Sequence, residues 1–407
     1  MSTKFFFILV GISVVTNSLS NQIFQSHQSF FTVDTHIDTP IRLSLPGFDI
    51  TKQYQRSSAY TDVDISRLKT GGLDAGFWAI YSKQDKLEPE SYKRAWEICN
   101  RRISQVQSMI GATDNFFKLA GSTSEIRNAA NHKGHIIILS MENAYPLGND
   151  LRKLEALYER GIRMIGLVHI TNNQFADSST DPDGMRWNGL SKLGKQLVRE
   201  ANRLGIILDA SHAHDLAVEQ MVELSTSPII LSHSSVKGVY DHPRNVDDKL
   251  LRLITESDGL IAMNSYGAYL TKINVRKKRK EARQLILKAM YEGENKGKPL
   301  SFREFSEGLL SADSNYPVSQ ATFQQYMQHF KHAIDVAGVD HVAVGADWDG
   351  GGGVVGMEDV SDIGKITRWL QKNGLSNEEV QKIWSENILR VMSAVERRAA
   401  PDVKKKE

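Results

Sequence analysis

Eight short apolar runs recur along the chain, each followed by a stretch with helical periodicity. Runs such as Ile136-Ile137-Ile138-Leu139 are apolar without alternation, which is typical of parallel strands buried on both faces. Gly161, Gly205 and Gly338 stand where helices are expected to end before the next strand. The runs are residues 31–38, 75–81, 135–143, 164–171, 205–212, 228–235, 259–265 and 341–349. Eight such units predict an α/β fold, a (β/α)8 TIM barrel.

The link after the seventh predicted strand is longer than the others. Residues from about 270 to 320 are strongly charged and then helical, which predicts a charged helical insertion in the barrel. Barrels of this kind often exceed the usual domain length as one unit. We therefore expect a single domain over residues 21–397, followed by a polar tail over residues 398–407.

The first twenty residues predict a secretory signal peptide. Lys4 supplies the positive charge, residues 5–15 the apolar core, and Ser18-Leu19-Ser20 a small-x-small cleavage site. A membrane anchor is the alternative, but the apolar run is short for a span. The single cysteine, Cys99, excludes an intrachain disulfide, which fits a bacterial envelope. We expect an exported protein, periplasmic or secreted, with no stable membrane anchor after cleavage.

The charge balance excludes the usual nucleic-acid-binding composition. The chain has 50 basic and 48 acidic residues, a formal net charge of +2. The basic runs at residues 276–280 and 404–406 are typical of solvated surface. No nucleic-acid partner is therefore expected.

Ionisable side chains stand at the ends of most predicted strands, where the active site of such a barrel lies. His36 and Asp38 end the first strand, and their spacing of two places both on the same side. Taken alone, such a pair more often forms a simple hydrogen bond than a metal site. The later strands end near Glu142, His169, Asp209, His212, His233, Asp347 and Asp349.

These groups together predict two metal ions. Burying so many unpaired charges is costly, and metal ions remove that cost because they keep carboxylates ionised and imidazoles neutral. We predict that His36 and Asp38 hold the first metal, that His212 and His233 hold the second, and that Glu142 bridges both. A water between two such ions is a nucleophile at neutral pH. Each residue alone keeps a structural alternative, a helix cap for Glu142 and hydrogen-bonded core positions for the histidines.

Four further residues are candidates for catalysis or substrate binding. Asp347 can take a proton from the attacking water and pass it to the leaving amine. Asp349 competes for that role, because strand alternation predicts both carboxylates on one side. His169 is expected to point into the same space and donate to an oxyanion. Arg244, after the sixth strand, can clamp a substrate carboxylate, with a surface salt bridge as the alternative.

Motifs over nearly the whole chain resemble one known family. They are residues 34–40 (DTHIDTP), 142–148 (ENAYPLG), 208–212 (LDASH), 232–235 (SHSS), 244–246 (RNV), 345–350 (GADWDG) and 386–391 (ENILRV). With them the chain resembles the membrane (renal) dipeptidases, the M19 metallopeptidases among the amidohydrolase-like barrels.

The resemblance implies a metallodipeptidase with two Zn²⁺ ions in the partition given above. It implies that His169 steadies the tetrahedral intermediate and that Asp347 handles the proton. Arg244 would bind the C-terminal carboxylate of the substrate, with Tyr269 near the same pocket. The substrates would be dipeptides, often with a D-residue at the C-terminal position, and some members also open a dehydropeptide-type β-lactam. The resemblance also makes a homodimer a possible assembly.

Two rival functions remain at the sequence level. Another metal-dependent amidohydrolase would act on cyclic amides, lactones or N-acyl groups, and the role of Arg244 discriminates it from a dipeptidase. A barrel that only binds peptides would be favoured by loss of a ligand or of Asp347, and neither is lost.

Overall fold

The computed structural model describes residues 26–400. The predicted signal peptide, residues 1–20, lies outside the described residues, as does the tail from residue 401 onward. Within residues 26–400, no helix is long and apolar enough to cross a membrane.

Eight parallel strands follow one another in chain order around a nearly closed barrel, as the sequence predicts. Asp38 N donates to Trp348 O (2.8 Å), which joins the first strand to the segment after the last. The strands are β1 (Val33–Ile37), β2 (Ala75–Tyr81), β4 (His135–Glu142), β5 (Ile162–Gly166), β6 (Ile207–Asp209), β7 (Ile229–Ser234), β8 (Leu260–Met263) and β9 (Val342–Val344).

A further short strand, β3 (Phe117–Leu119), lies outside the barrel order. It pairs in parallel with the beginning of β4, where Phe117 is opposite His135. The later part of β4 pairs with β5 instead, where Leu139 is opposite Ile162. The sequence analysis missed β3 because a three-residue strand with the exposed Lys118 at its centre has no apolar run to predict it.

The helices surround the barrel, and side-chain caps fix several of their ends. Ser191 caps one by accepting from Gly194 N, and Gly205 ends the same helix at φ 76°. The helices are α1 (Thr39–Leu43), α2 (Ile65–Gly71), α3 (Pro89–Gly111), α4 (Thr123–Asn128), α5 (Arg152–Glu159), α6 (Lys192–Leu204), α7 (Asp215–Leu224), α8 (Asp248–Glu256), α9 (Gly267–Leu270), α10 (Lys277–Asn295), α11 (Phe302–Asn315), α12 (Phe323–Ala337), α13 (Gly364–Lys372), α14 (Asn377–Gln381) and α15 (Asn387–Arg398).

Alternate residues of β4 pack in two different apolar clusters, and this alternation sets the direction of the side chain of Glu142, the last residue of the strand. Ile137 and Leu139 belong to the larger apolar cluster between strands and helices. Ile136 and Ile138 belong to a second cluster, formed mainly by the other strands and by α15. Glu142 continues the series of Ile136 and Ile138, so alternation places it over the inner core at the carboxyl end of the barrel.

The charged helical insertion predicted after the seventh barrel strand is present as α10 and α11. Its buried side chains Met290, Phe302 and Phe305 pack with Ile41 and Tyr81 in a separate apolar cluster. Because Ile41 follows β1 and Tyr81 ends β2, the insertion covers part of the barrel's carboxyl end.

Candidate active site

The five predicted metal ligands converge at the carboxyl end of the barrel. Glu142 Oε1 lies 3.1 Å from His212 Nε2, 3.6 Å from His233 Nε2 and 3.8 Å from His36 Nε2. Asp38 Oδ2 lies 3.4 Å from His36 Nε2. All five residues are buried. The structure thus places one carboxylate between the two predicted halves of the site.

This donor set fits a buried cation. Within residues 26–400, neither ring nitrogen of His36 makes a hydrogen bond and Asp38 Oδ1 accepts none. Buried polar atoms normally have hydrogen-bond partners, so these unpartnered atoms fit the role of metal ligands. Two nitrogen ligands of a tetrahedral zinc lie about 3.3 Å apart. His212 Nε2 and His233 Nε2 are 2.9 Å apart, close to that spacing.

His233 is oriented by a hydrogen-bonded chain that sequence reasoning missed. Ser232 Oγ donates to Asp209 Oδ2 (2.6 Å), and His233 Nδ1 lies 2.8 Å from the same hydroxyl. Since the hydroxyl proton goes to Asp209, Ser232 Oγ accepts from His233 Nδ1–H. The lone pair of His233 Nε2 is then directed at Glu142. Asp209 stands in the LDASH motif, but its partner is 23 residues away and no local pattern links them.

Asp209 also fixes the ends of two strands. Its Oδ1 accepts from Ser211 N and from Ser232 N, both at 2.9 Å. His212, just beyond, has φ 68°, so the chain turns sharply at the ligand itself. The loop that presents His212 is therefore tied to the strand that presents His233.

Arg244 is buried, with 3% of its surface exposed, so the surface salt-bridge alternative is wrong. Its Nε donates to His212 Nδ1 (3.0 Å), Nη2 to His233 O (3.0 Å) and Nη1 to Ser234 Oγ (3.2 Å). The guanidinium carbon lies 5.5 Å from the centre of the Tyr269 ring. Arg244 and Tyr269 therefore lie together beside the ligand cluster, as predicted.

His169 lies at the more open edge of the cluster. Its Nε2 is 3.5 Å from Glu142 Oε1, and its side chain is 21% exposed. The ring is 4.9 Å from the ring of Tyr81 and 4.2 Å from the ring of His212. Of the imidazoles around Glu142, His169 is the one most accessible to a substrate.

The structure separates Asp347 from its competitor Asp349. Asp347 lies with His36 and Asp38 in a group whose ligand atoms are all within 4.8 Å of one another. Its Oδ2 also accepts from Asn264 Nδ2 (3.3 Å). Asp347 therefore faces the first predicted metal position.

Asp349 points into a different network. Its carboxylate accepts from Thr39 Oγ1 (2.7 Å), Thr61 Oγ1 (3.0 Å) and the backbone N of Asp62 (2.8 Å). The expectation that alternation puts both carboxylates on one side is wrong. Asp347 and Asp349 have φ values of 67° and 65°, so this segment is not an extended strand. Asp349 is a structural residue that holds the loop after β1.

Three histidines of the site are held neutral. Burial, reinforced by the charge of Arg244, lowers the pKa of His169 to about 3. Burial likewise lowers the pKa of His212 well below its ordinary value, and burial together with the charge of His36 does the same for His233. A neutral imidazole has a lone pair on one ring nitrogen, and at His233 the proton on Nδ1 leaves the Nε2 lone pair for a cation. At His36 burial acts in the same direction, but Asp38 and Glu142 outweigh it and raise the pKa to about 10.

Two carboxyl groups of the site, those of Glu142 and Asp347, have raised pKa values. Burial and the neighbouring Asp38 raise the pKa of Glu142 well above its ordinary value. The same two causes raise the pKa of Asp347 to about 8. A divalent cation reverses this, because it stabilises the ionised carboxylates and displaces protons from its ligands.

Comparison with known proteins supports the same chemistry. The chain matches the model of the membrane dipeptidase family, peptidase family M19, over residues 21–406. It is 29% identical to an uncharacterized dipeptidase of Schizosaccharomyces pombe over 378 residues, which are 90% of this chain and 81% of that protein. It is 28% identical to the dipeptidase aclJ of Aspergillus oryzae, with 83% of this chain and 71% of that protein covered.

Solved structures share the fold. The probable dipeptidase PvdM of Pseudomonas aeruginosa is similar with a TM-score of 0.76 and 28% identity, covering 92% of this chain and 97% of that one. A metallopeptidase of Rhodobacter sphaeroides, liganded with a phosphinate mimic of L-Ala-D-Ala, has a TM-score of 0.71 and 23% identity, covering 91% and 100%. The chain belongs to the membrane dipeptidase family, peptidase family M19, and is a dipeptidase of that metallopeptidase family.

Proposed function

We propose that the protein is a zinc-dependent dipeptidase whose two Zn²⁺ ions are held by His36, Asp38, Glu142, His212 and His233. The observation that carries this proposal is the position of Glu142 Oε1, 3.1 to 3.8 Å from the Nε2 atoms of three histidines. Zinc, when bound, supplies Lewis-acid polarisation and a lowered water pKa at this position.

Arg244 binds the C-terminal carboxylate of the dipeptide. An arginine has five N–H donors. Within residues 26–400, three of those of Arg244 are bonded, to His212, Ser234 and the backbone of His233. Two donors remain for a carboxylate, which suits the parallel pair of hydrogen bonds that guanidinium forms. A dipeptide held there has its peptide bond one residue away, over the cluster.

His169 and Asp347 act on the reacting bond. His169 is neutral at pH 7, because its pKa is about 3, so one ring N–H can donate to the carbonyl oxygen as negative charge develops. Asp347 takes the proton of the attacking water and returns it to the leaving amine nitrogen. Its position against Asp38 and His36 supports this role.

The test is a substrate panel with the purified protein and added zinc. L-Ala-L-Ala and L-Ala-D-Ala should both be cleaved, and the matching C-terminal amides about 100-fold more slowly, because the amides lack the charge that Arg244 binds. L-Ala-D-Ala is a suitable substrate because the Rhodobacter sphaeroides structure holds a mimic of it. Metal analysis should find two zinc ions per chain.

Arg244→Ala provides the decisive variant. It should remove the preference for free dipeptides over their amides, whereas Arg244→Lys should keep part of it. Intact dipeptides in the presence of two bound zinc ions would refute the dipeptidase proposal. If Arg244→Ala left the preference unchanged, a broader amidohydrolase acting on amides or lactones would replace it.

Export and assembly belong to the same proposal. The signal-like pattern of residues 1–20 supports export to the periplasm or the medium. N-terminal sequencing of the protein recovered from cells that express the full chain tests it. Light scattering of the purified protein tests whether it forms the predicted homodimer.

A further inference from the structure

The insertion contributes an aromatic ring to the edge of the site. Tyr291 of α10 is half-buried, and its ring centre lies 6.3 Å from that of Tyr81 in an edge-to-face arrangement. The ring of Tyr81 lies 4.9 Å from His169, whose ring lies 4.2 Å from His212. A continuous row of rings therefore runs from the insertion to the ligand cluster.

Tyr81, in the middle of this row, and Arg244 lie on opposite sides of the barrel. Tyr81 ends β2, and Arg244 follows β7. In the barrel order β1-β2-β4-β5-β6-β7-β8-β9, these strands are four places apart in a ring of eight. A dipeptide whose carboxylate is held by Arg244, with its peptide bond at Glu142, therefore extends its N-terminal residue toward Tyr81 and Tyr291.

A buried ion pair holds Tyr291 in place. Arg102 Nη2 of α3 donates to both carboxylate oxygens of Glu294 at 2.9 Å, and the side chains are 1% and 8% exposed. Glu294 follows Tyr291 by three residues, on the same face of α10. Met290, next to Tyr291, is 3% exposed and packs in the cluster with Phe302. The ring therefore stands on a helix anchored at this point, because breaking such a pair is costly.

We propose that Tyr291, with Tyr81, forms the wall of the subsite for the N-terminal side chain of the dipeptide, and that Tyr291 limits the size of that side chain. The proposal rests on the dipeptidase function proposed above. Lys83 Nζ lies 5.5 Å from the Tyr291 ring, and Arg102 pairs with Glu294 on the same helix, so the Tyr291 ring is packed among neighbouring side chains. Dipeptides with a small N-terminal side chain are the substrate class that this wall favours.

The experiment measures kcat/KM for a series X-Ala, in which X is Gly, Ala, Leu, Phe or Trp, and for the reversed series Ala-X. In Tyr291→Ala the ratio of Phe-Ala to Ala-Ala should rise about 10-fold, the scale on which a pocket discriminates side-chain size. The Ala-X series should change less than about twofold. Tyr291→Phe, which keeps the ring, should match the wild type, and Tyr291→Trp should lower the Leu-Ala to Ala-Ala ratio.

Leu285→Ala is the matched control, because Leu285 lies on the same helix and is 67% exposed. It should leave both series unchanged. If the X-Ala ratios were unaltered in both Tyr291→Ala and Tyr291→Trp, or if the Ala-X ratios changed equally, the proposed role of Tyr291 would be refuted. The proposed dipeptidase function would still stand. If the zinc-loaded wild type cleaved no member of either series, the proposed function would fail and this inference with it.

Discussion

The two ends of strand β4 carry buried ionisable residues in opposite situations. His135 begins the strand, and its Nδ1 donates to Leu73 O (2.9 Å) while its Nε2 accepts from Trp78 Nε1 (3.1 Å). Glu142 ends the strand and faces the Nε2 atoms of His36, His212 and His233. The protein satisfies the polar groups at one end by itself, whereas the other end brings a carboxylate together with three imidazole nitrogens, a set that suits a metal ion.

Burial alone does not distinguish structural histidines from the histidines around Glu142. Burial lowers the pKa of His135 to about 4, much as it lowers the pKa of His169 to about 3. His329 is also buried and structural, since its Nδ1 accepts from Val236 N and its Nε2 donates to Leu270 O, both at 3.2 Å. His36 makes no ring hydrogen bond within residues 26–400. The proposed metal ligands His36, His212 and His233 differ from these structural histidines in that their Nε2 atoms converge on the Glu142 carboxylate.

The largest effect is expected from removing a ligand. His233→Ala should cost one metal ion and lower kcat by about 1,000-fold or more, because the second metal loses one of its two histidines. Metal content by mass spectrometry and dipeptide hydrolysis check this.

His329→Gln is the control, a buried histidine outside the cluster. It should lower the thermal midpoint but keep two metals and activity within about threefold. If His233→Ala kept its full metal content, His233 would not be a metal ligand and would not differ from a structural histidine such as His329.

A smaller effect on zinc binding is expected from Ser232, the residue that accepts a hydrogen bond from His233. Ser232→Ala removes the acceptor of His233 Nδ1–H and should weaken zinc binding about 10- to 100-fold, as measured by competition with a chelator. Ser235→Ala is the matched control, since Ser235 Oγ donates to Asn264 O and, among residues 26–400, bonds to no histidine. Equal affinities in the two variants would show that Ser232 does not orient His233.

The smallest effect on activity is expected at the other end of β4. The pKa of His135 is 6.5 in the unfolded chain and about 4 in the folded one, so the unfolded state binds the proton more readily. The free energy of unfolding should therefore fall as the pH drops from 6.5 to about 4, by about 3 kcal/mol from this residue.

His135→Gln should reduce this pH dependence and leave zinc content and activity at pH 7 unchanged. Urea unfolding of wild type and variant at pH 7 and pH 5 measures the difference. The same slope in both proteins would mean that His135 is not the group that titrates.

Much of the fold and the convergence of the proposed metal ligands were predictable for one physical reason. The carboxyl ends of parallel strands meet at one face of a barrel, so residues at separate strand ends become neighbours without any further information. The pair His36 and Asp38 at one strand end, with Glu142 at another, illustrates this. The short strand β3 escaped prediction because its pairing with β4 is set by the surrounding packing.

The roles of other residues required the three-dimensional contacts. The choice between Asp347 and Asp349 followed from two positive φ values that break the strand alternation. Arg244 was a candidate for carboxylate binding from the sequence, but its position was equally consistent with a surface salt bridge, and only its burial against His212 removed that alternative. The proposed role of Tyr291 depends on the contact of α10 with Tyr81, more than 200 residues earlier in the chain.

The sequence by itself determined the barrel, its insertion and the types of residue at each strand end, because these depend on local patterning and on the common direction of parallel strands. The tertiary structure decided which nitrogens and oxygens already have partners. That decision depends on residues brought together from distant segments, such as Asp209 with Ser232 and Arg102 with Glu294. The difference between a structural histidine such as His135 and a proposed metal ligand such as His233 depends on these long-range contacts.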